Sequence, residues 1–177
     1  RSAGKLNHEN ITGAVDVGEA GGRYYFVMEY VDGDTVYDRI VARKRLPERE
    51  ALEIIRQIAS ALEHAHERGF VHADMKPSNM MVCEDHTVKV IDLGQACAVG
   101  TVKKRIQGTP GYIAPEQAFR NGSWLDMAKA ADVHAAYLAL VRALAGQPKL
   151  IKCLGKIDPR YKPTQRDTVQ QLLARLN

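Results

Sequence analysis

The stretch from Pro47 to Arg68 constrains the fold of this chain more than any other. Apolar side chains recur in it at steps of three and four, the period of an amphipathic helix: Ala51, Ile55, Ile58, Leu62 and Ala65, with Leu52, Ile54 and Ala59 beside them. Pro47 and Gly69 are residue types expected at the start and just past the end of a helix. An apolar face this wide predicts a long helix packed on a core.

Short strands are predicted before that helix. Residues 14–18 and 24–30 are strand-like, and the Gly-rich residues 19–23 between them are typical of a hairpin turn. Asp34 or Thr35 stands where a residue would cap a short helix ending near Ala42.

The order of the later elements decides the fold class. Residues 79–82 and 87–91 predict a second hairpin, followed by a polar loop at 95–111. Residues 126–144 predict a nearly all-apolar helix, and a last helix begins near Pro163. Strands, helix, strands, loop and helices in this order indicate an α+β fold rather than a doubly wound sheet.

Composition excludes several classes of protein. The 177 residues are 45% apolar and 26% charged, which suits one globular domain. A net charge of +4 with 6% aromatic residues gives no indication of a nucleic-acid partner. A membrane helix needs about 20 predominantly apolar residues, and the sequence predicts no such segment.

The cysteines indicate the redox environment. Cys83, Cys97 and Cys153 are widely spaced and odd in number, which argues against a metal site and a disulfide framework. We therefore expect reduced thiols and a cytoplasmic location.

The residues that carry chemistry lie between Phe70 and Gly94. Asp74, Lys76 and Asn79 share one short loop after the long helix, and the second hairpin is expected to bring Asp92 against them. Two carboxylates and an amide oxygen suit Mg2+, a lysine neutralises a transferring phosphoryl group, and a spare carboxylate accepts a hydroxyl proton. The set predicts phosphoryl transfer from a nucleoside triphosphate to an alcohol.

The chain resembles a protein kinase of the Ser/Thr type, bacterial-like in sequence. Six motifs in family order carry the resemblance: the regulatory-helix linker at 6–11, the hinge at 27–33, the catalytic loop at 72–79, the metal motif at 92–94, the activation-segment end at 108–116 and the central-helix start at 132–135. The resemblance implies a bilobal fold with an incomplete N-lobe of short antiparallel strands and a mainly helical C-lobe.

The resemblance assigns roles in catalysis. Asp74 would be the catalytic base, Lys76 would contact the γ-phosphate, and Asn79 and Asp92 would hold Mg2+. Thr109 would brace Asp74 and Lys76, a feature of Ser/Thr specificity.

The resemblance also assigns nucleotide contacts, with ATP and Mg2+ as cofactors and a protein as substrate. Met28 would be the gatekeeper, the Glu29 and Val31 backbones would bond adenine, Met81 would lie under the adenine ring, and Asp34 lies near the ribose position.

Several parts of the family pattern are missing. The Gly-rich loop, the strand lysine and its glutamate partner would all precede residue 1. We therefore predict one partial kinase domain, with residues 1–31 as a remnant of the N-lobe and hinge and 32–177 as the C-lobe. Residues 147–151 mark a deletion or a gap.

Substitutions within the motifs predict altered regulation. Ala73 replaces the arginine that usually receives an activation-loop phosphate, so we expect weak dependence on loop phosphorylation, including that of Thr101. Lys162 replaces an arginine that forks onto Glu116, which loosens that brace. His72 is expected to be a structural hydrogen-bonding residue.

Two alternatives remain open at this stage. One is a pseudokinase or nucleotide-binding scaffold, favoured if the full-length protein lacks the strand lysine. The other is a small-molecule phosphotransferase of related fold, against which Lys76 and residues 108–116 favour a protein substrate.

Overall fold

A computed structural model describes residues 6–103, 108–113, 125–126, 132 and 135–136. Its helices are α1 (Val36–Arg43) and α2 (Glu48–Glu67). Its strands are β1 (Ala14–Ala20), β2 (Arg23–Met28), β3 (Gly33–Thr35), β4 (Phe70–Val71), β5 (Met80–Cys83), β6 (Val88–Val90), β7 (Cys97–Ala98), β8 (Val102–Lys103) and β9 (Leu125–Asp126). Single 3-10 turns occupy Pro77–Asn79 and Leu93–Gln95.

The predicted N-terminal hairpin is present. β1 and β2 pair antiparallel, with Ala20 opposite Arg23 across a two-residue turn. Gly21 and Gly22 both have positive φ. The favoured two-residue hairpin turn requires positive φ at both positions, and glycine adopts it without steric cost.

Both helices begin and end as their sequences predict. The Thr35 hydroxyl accepts from the Asp38 backbone N–H and caps α1. Pro47 precedes α2, and Gly69 follows it with a φ of 76°. The Gly69 N–H bonds the His66 carbonyl at 3.1 Å, which satisfies an acceptor that the helix end would otherwise leave open.

One hydrophobic core holds α2 against a three-stranded sheet. The sheet has the order β3-β5-β6, with both pairs antiparallel. The buried face of α2, including Ile55, Ile58 and Leu62, joins Met80 of β5 and Val90 of β6 in one cluster. The apolar face predicted for α2 therefore packs against β5 and β6, the strands that follow the catalytic loop at residues 72–79.

Two predictions need correction. The 95–111 stretch is not a plain loop, because Cys97–Ala98 pairs with Phe70–Val71 and Val102–Lys103 pairs with Leu125–Asp126. For the same reason the predicted helix over 126–144 does not begin at Asp126, which lies in β9.

The remaining C-terminal predictions lie outside the described residues. They are the gap at 147–151, the last helix near Pro163, the contact of Lys162 with Glu116, and Cys153. Among the residues that the structure describes, no helix combines the length and the apolarity that crossing a bilayer requires.

Candidate active site

Asp132 anchors the loop that follows β4. Its carboxylate is 1% exposed and accepts from the backbone N–H groups of His72 at 2.7 Å and Ala73 at 2.8 Å. His66 of α2 lies 3.0 Å from the same carboxylate through Nε2. A buried carboxylate is stable only when such partners satisfy it, so helix α2, the loop and Asp132 form one unit.

The backbone of Ala73 is strained, and Asp132 holds it there. Ala73 has a φ of 67°, a left-handed conformation that costs a non-glycine residue about 1–2 kcal/mol. Such a conformation persists only where the surroundings over-determine it. The bonds from Asp132 to the peptide groups of His72 and Ala73 supply that constraint.

His72 joins the loop to the residue before Asp92. Its Nδ1 accepts from the Asp74 N–H at 3.3 Å, so its Nε2 carries the proton and donates to the Ile91 carbonyl at 3.2 Å. The Ile91 N–H in turn donates to the Asn79 carbonyl at 3.0 Å. These bonds place the backbone at Asp92 beside Asn79, and they give His72 the structural role expected of it.

Asp74, Lys76 and Thr109 form a closed triangle of hydrogen bonds. The Lys76 ammonium donates to Asp74 Oδ2 at 2.9 Å and to Thr109 Oγ1 at 2.9 Å. Thr109 Oγ1 donates to Asp74 Oδ1 at 2.8 Å. Asp74 is thereby oriented and charge-compensated, with its side chain 10% exposed.

Asn79 and Asp92 offer oxygen atoms that fit a divalent cation. The Asn79 amide nitrogen donates to the Asp74 carbonyl at 2.9 Å, which leaves its carbonyl oxygen for a ligand. Asp92 is exposed, and one carboxylate oxygen accepts from the Gly94 N–H at 3.2 Å. A carboxylate and an amide oxygen, completed by water and phosphate oxygens, suit the hard Mg2+ ion.

The Asp92 backbone is also left-handed, with a φ of 61°. A Cβ at Gly94 would lie 3.0 Å from the Asp92 carboxylate oxygen. Because Gly94 has no Cβ, it does not crowd the Asp92 carboxylate. No hydrogen bond joins Asp74 to Asp92 within the described residues, so the meeting of the two carboxylates on one cation stays a prediction.

Three of the predicted nucleotide-binding residues lie around the β3-β5-β6 sheet. Met81 pairs with Thr35 on one side and Lys89 on the other, and Asp34 pairs with Val82. Glu29 reaches the same sheet, because its carboxylate accepts from the Lys89 ammonium at 2.6 Å.

The Glu29–Lys89 bond fixes the segment after β2. Hydrogen bonding from Lys89 lowers the pKa of Glu29 below its ordinary value. The Glu29 N–H donates to the Gly13 carbonyl at 3.0 Å, so that N–H is already used within the protein. Met28 directly precedes this residue and is 40% exposed, and Val31 follows it by two positions.

Comparison with known proteins places this geometry in a family. Residues 2–173 match the family model described as "Protein kinase domain". The chain belongs to the protein kinase domain family. Its motifs therefore reflect membership of the family, and the α+β fold that they predict is confirmed.

Curated relatives agree with this assignment. The chain is 39% identical over 151 residues to "Serine/threonine-protein kinase PrkC" of Bacillus subtilis, and 83% of the chain and 23% of that protein are covered. It is 39% identical over 147 residues to "Probable serine/threonine-protein kinase PknB" of Lactococcus lactis, with 81% and 23% covered. It is 36% identical over 160 residues to "Serine/threonine-protein kinase PknB" of Mycobacterium leprae, with 85% and 25% covered. The chain thus spans about a quarter of the length of these relatives.

Sequence reasoning missed two residues that organise this kinase domain. The motif at 132–135 contains Asp132 but does not show its role, although Asp132 is the sole acidic residue in the largely apolar sequence from 127 to 144. A lone carboxylate in such a run is a signal for a buried anchor. Lys89 carries no comparable signal, because its contact with Glu29 spans 60 residues of sequence.

Proposed function

We propose that this kinase domain belongs to a serine/threonine protein kinase, which transfers the γ-phosphate of ATP to protein Ser and Thr hydroxyls with Mg2+. The observation that carries the proposal is the triangle of Asp74, Lys76 and Thr109. It supplies a proton acceptor, a cation and a bracing hydroxyl within one hydrogen-bonded unit.

Asp74 is proposed to orient the substrate hydroxyl and accept its proton. Thr109 and Lys76 each bond one of its oxygens, which fixes the plane of the carboxylate. A general base must be held within hydrogen-bond reach of the proton that it takes. The Asn79 amide also donates to the Asp74 carbonyl, which holds the backbone of the same residue.

Lys76 is proposed to compensate the charge of the transferring phosphoryl group. Its ammonium has three donors, of which Asp74 and Thr109 use two. One N–H is then left to face a phosphate oxygen, and the positive charge favours the more highly charged transition state.

Asn79 and Asp92 are proposed to hold Mg2+, which supplies electrostatic stabilisation of the phosphates when bound. Glu29 and Val31 are proposed to bond adenine through their backbones, between the Met28 gatekeeper and Met81. Asp34 is proposed to lie by the ribose; its carboxylate is 71% exposed and therefore accessible. Family membership and residue position support these roles. They also support ATP as the phosphate donor and a protein as the acceptor.

The printed names of the relatives support Ser/Thr specificity, because each names a serine/threonine-protein kinase. A cytoplasmic location for this domain is part of the proposal and rests on its use of cysteine.

The decisive experiment is transfer of radiolabelled γ-phosphate to histone by the full-length protein. Asp74→Asn keeps the size of the side chain and removes the proton acceptor, so we expect loss of transfer with nucleotide binding retained. Asp85→Asn is the matched control, since Asp85 lies on the exposed turn between β5 and β6. Undiminished transfer by Asp74→Asn would contradict the role proposed for Asp74. Nucleotide binding without transfer by the wild type would contradict the proposed activity and favour the scaffold alternative.

A second experiment addresses the metal. Nucleotide affinity is measured with and without Mg2+ in the wild type and in Asp92→Ala. We expect the Mg2+-dependent part of the affinity to vanish in the variant. Unchanged Mg2+ dependence would remove Asp92 from the metal site.

A further inference from the structure

The chain between β2 and β3 begins with three residues that have few contacts. Residues 29–31 belong to no helix or strand, and we call them the connecting segment. Within the described residues, its hydrogen bonds are made by Glu29: the N–H donates to the Gly13 carbonyl at 3.0 Å, and the carboxylate accepts from the Lys89 ammonium at 2.6 Å. The first bond joins the segment to the residue before β1, and the second joins it to β6.

Lys89 lies on the sheet face that is proposed to support the adenine ring. It stands directly opposite Met81 in the register of β5 and β6, and residues paired in this way point to the same face of a sheet. Val82 and Val88, which alternate with them, are buried in the core with α2. Met81 and Lys89 are half-buried, so their face is the one turned away from that core.

One side chain therefore connects two parts of the proposed nucleotide site. Lys89 is the cross-strand neighbour of Met81, and its ammonium holds the carboxylate of Glu29. The bond joins two charged groups, because hydrogen bonding from Lys89 lowers the pKa of Glu29 and keeps the carboxylate ionised at neutral pH. The side chains are 22% exposed at Lys89 and 40% exposed at Glu29, so water screens the bond in part.

We propose that Lys89 is a positioning residue for nucleotide binding: by holding the Glu29 carboxylate, it sets the place of the Glu29 and Val31 backbones relative to Met81. This inference rests on the proposed function, because it concerns the same nucleotide site. Lys89 acts through Glu29 and contacts no member of the triangle in the catalytic loop. Its effect therefore falls on nucleotide affinity and not on the transfer step.

The first test is a fluorescence titration of the full-length protein with mant-ATP and Mg2+. Lys89→Met keeps the length of the side chain and removes its donors, so we expect the dissociation constant to rise about twofold to fivefold, as for loss of a partly exposed charge pair. Lys44→Met is the matched control, because Lys44 is an exposed lysine that follows α1, and it should leave the dissociation constant unchanged.

The outcomes of this titration separate the inference from the proposed function. Wild-type affinity in Lys89→Met would overturn the positioning role and leave the proposed function standing. A wild-type protein that binds no mant-ATP would contradict the proposed function, and the inference with it.

Adenosine distinguishes positioning from a simple charge effect. Residues 29–34 contain three carboxylates and no basic side chain, so loss of Lys89 also makes this region more negative. A positioning role should weaken adenosine and ATP by the same factor, because both carry the adenine ring. Displacement of mant-ATP by adenosine measures this factor. Weaker ATP binding with unchanged adenosine binding would show repulsion of the phosphates and would overturn the positioning role.

Exchanging the two charges tests the partner. Lys89→Glu places two carboxylates together and should raise the dissociation constant by about tenfold. Adding Glu29→Lys restores opposite charges and should return the constant to within about twofold of the wild type. An exchanged pair that binds no better than Lys89→Glu alone would overturn the role of Glu29 as the partner.

Steady-state transfer to histone supplies the readout that a general folding defect would not give. We expect the KM for ATP to follow the dissociation constant in each variant, while kcat stays within about twofold of the wild type. A fall in kcat with an unchanged KM for ATP would place the effect of Lys89 in the transfer step and overturn the inference.

Discussion

The catalytic loop at residues 72–79 and the β1–β2 hairpin are held in opposite ways. The loop is tied by hydrogen bonds to Ile91 and to Asp132, which in turn contacts His66 of α2. The loop includes four residues that are at most 5% exposed: His72, Ala73, Met75 and Asn79. Every residue of β2 is exposed, and the hairpin is defined by its own turn and register.

The difference shows that buried polar groups hold the loop, whereas the hairpin is exposed. The hairpin satisfies its backbone locally, so its form needs little else. The loop adopts a strained backbone at Ala73 that no local pattern would choose, and long-range contacts impose it. Tertiary contacts thus impose the backbone of the loop that carries the proposed catalytic residues.

Removing the buried anchor should have the largest effect. Asp132→Ala leaves two backbone N–H groups and His66 without their acceptor, so we expect the free energy of unfolding to fall by about 3–5 kcal/mol. Urea denaturation followed by circular dichroism measures the change. Asp16→Ala, on exposed β1, is the matched control and should change it by less than about 0.5 kcal/mol. Equal effects of the two changes would erase the contrast between loop and hairpin.

Removing the Thr109 hydroxyl should have the second-largest effect. Thr109→Val keeps the shape and removes two charge-assisted hydrogen bonds, so we expect kcat to fall by roughly tenfold to a hundredfold. The steady-state rate of phosphate transfer to histone measures it. Thr109→Ser restores the hydroxyl and should recover most of the rate. A serine variant as slow as the valine variant would point to packing in place of hydrogen bonding.

The bond between Glu29 and Lys89 should contribute less. Because Lys89 lowers the pKa of Glu29, the contribution is fully present above the ordinary value of 4.5 and is lost as pH falls through the lower, folded pKa. Glu29 is 40% exposed, so solvent screening limits the effect at pH 7 to under about 1 kcal/mol. The difference in unfolding free energy between wild type and Glu29→Gln, measured from pH 7 down to acid, tests this. A difference that grows on acidification would contradict it.

The smallest effect is expected at Thr101. Ala73 cannot bind a phosphate, and Asp132 already holds the catalytic loop at residues 72–79 without one, so we expect a phosphate on Thr101 to add little. Thr101→Ala should therefore retain nearly the wild-type rate of transfer to histone. Strong loss in Thr101→Ala, with recovery in Thr101→Ser, would show that the loop depends on modification after all.

Much of the fold could be predicted because its signals are local. The period of the apolar residues gave α2, Gly21 and Gly22 gave the hairpin turn, and Thr35 gave the start of α1. Pairing of Cys97–Ala98 with Phe70–Val71 was missed, since two-residue strands have no pattern of their own.

The candidate site divides in the same way. The sequence by itself determined which residues are the candidates for chemistry, because Asp74, Lys76, Asn79 and Asp92 stand at the positions of protein kinase motifs. Only the tertiary structure decided that Asp132 holds the loop and that Lys89 holds Glu29. The physical reason is that a carboxylate shows its role through its partners, and partners 60 residues away become neighbours only when the chain has folded.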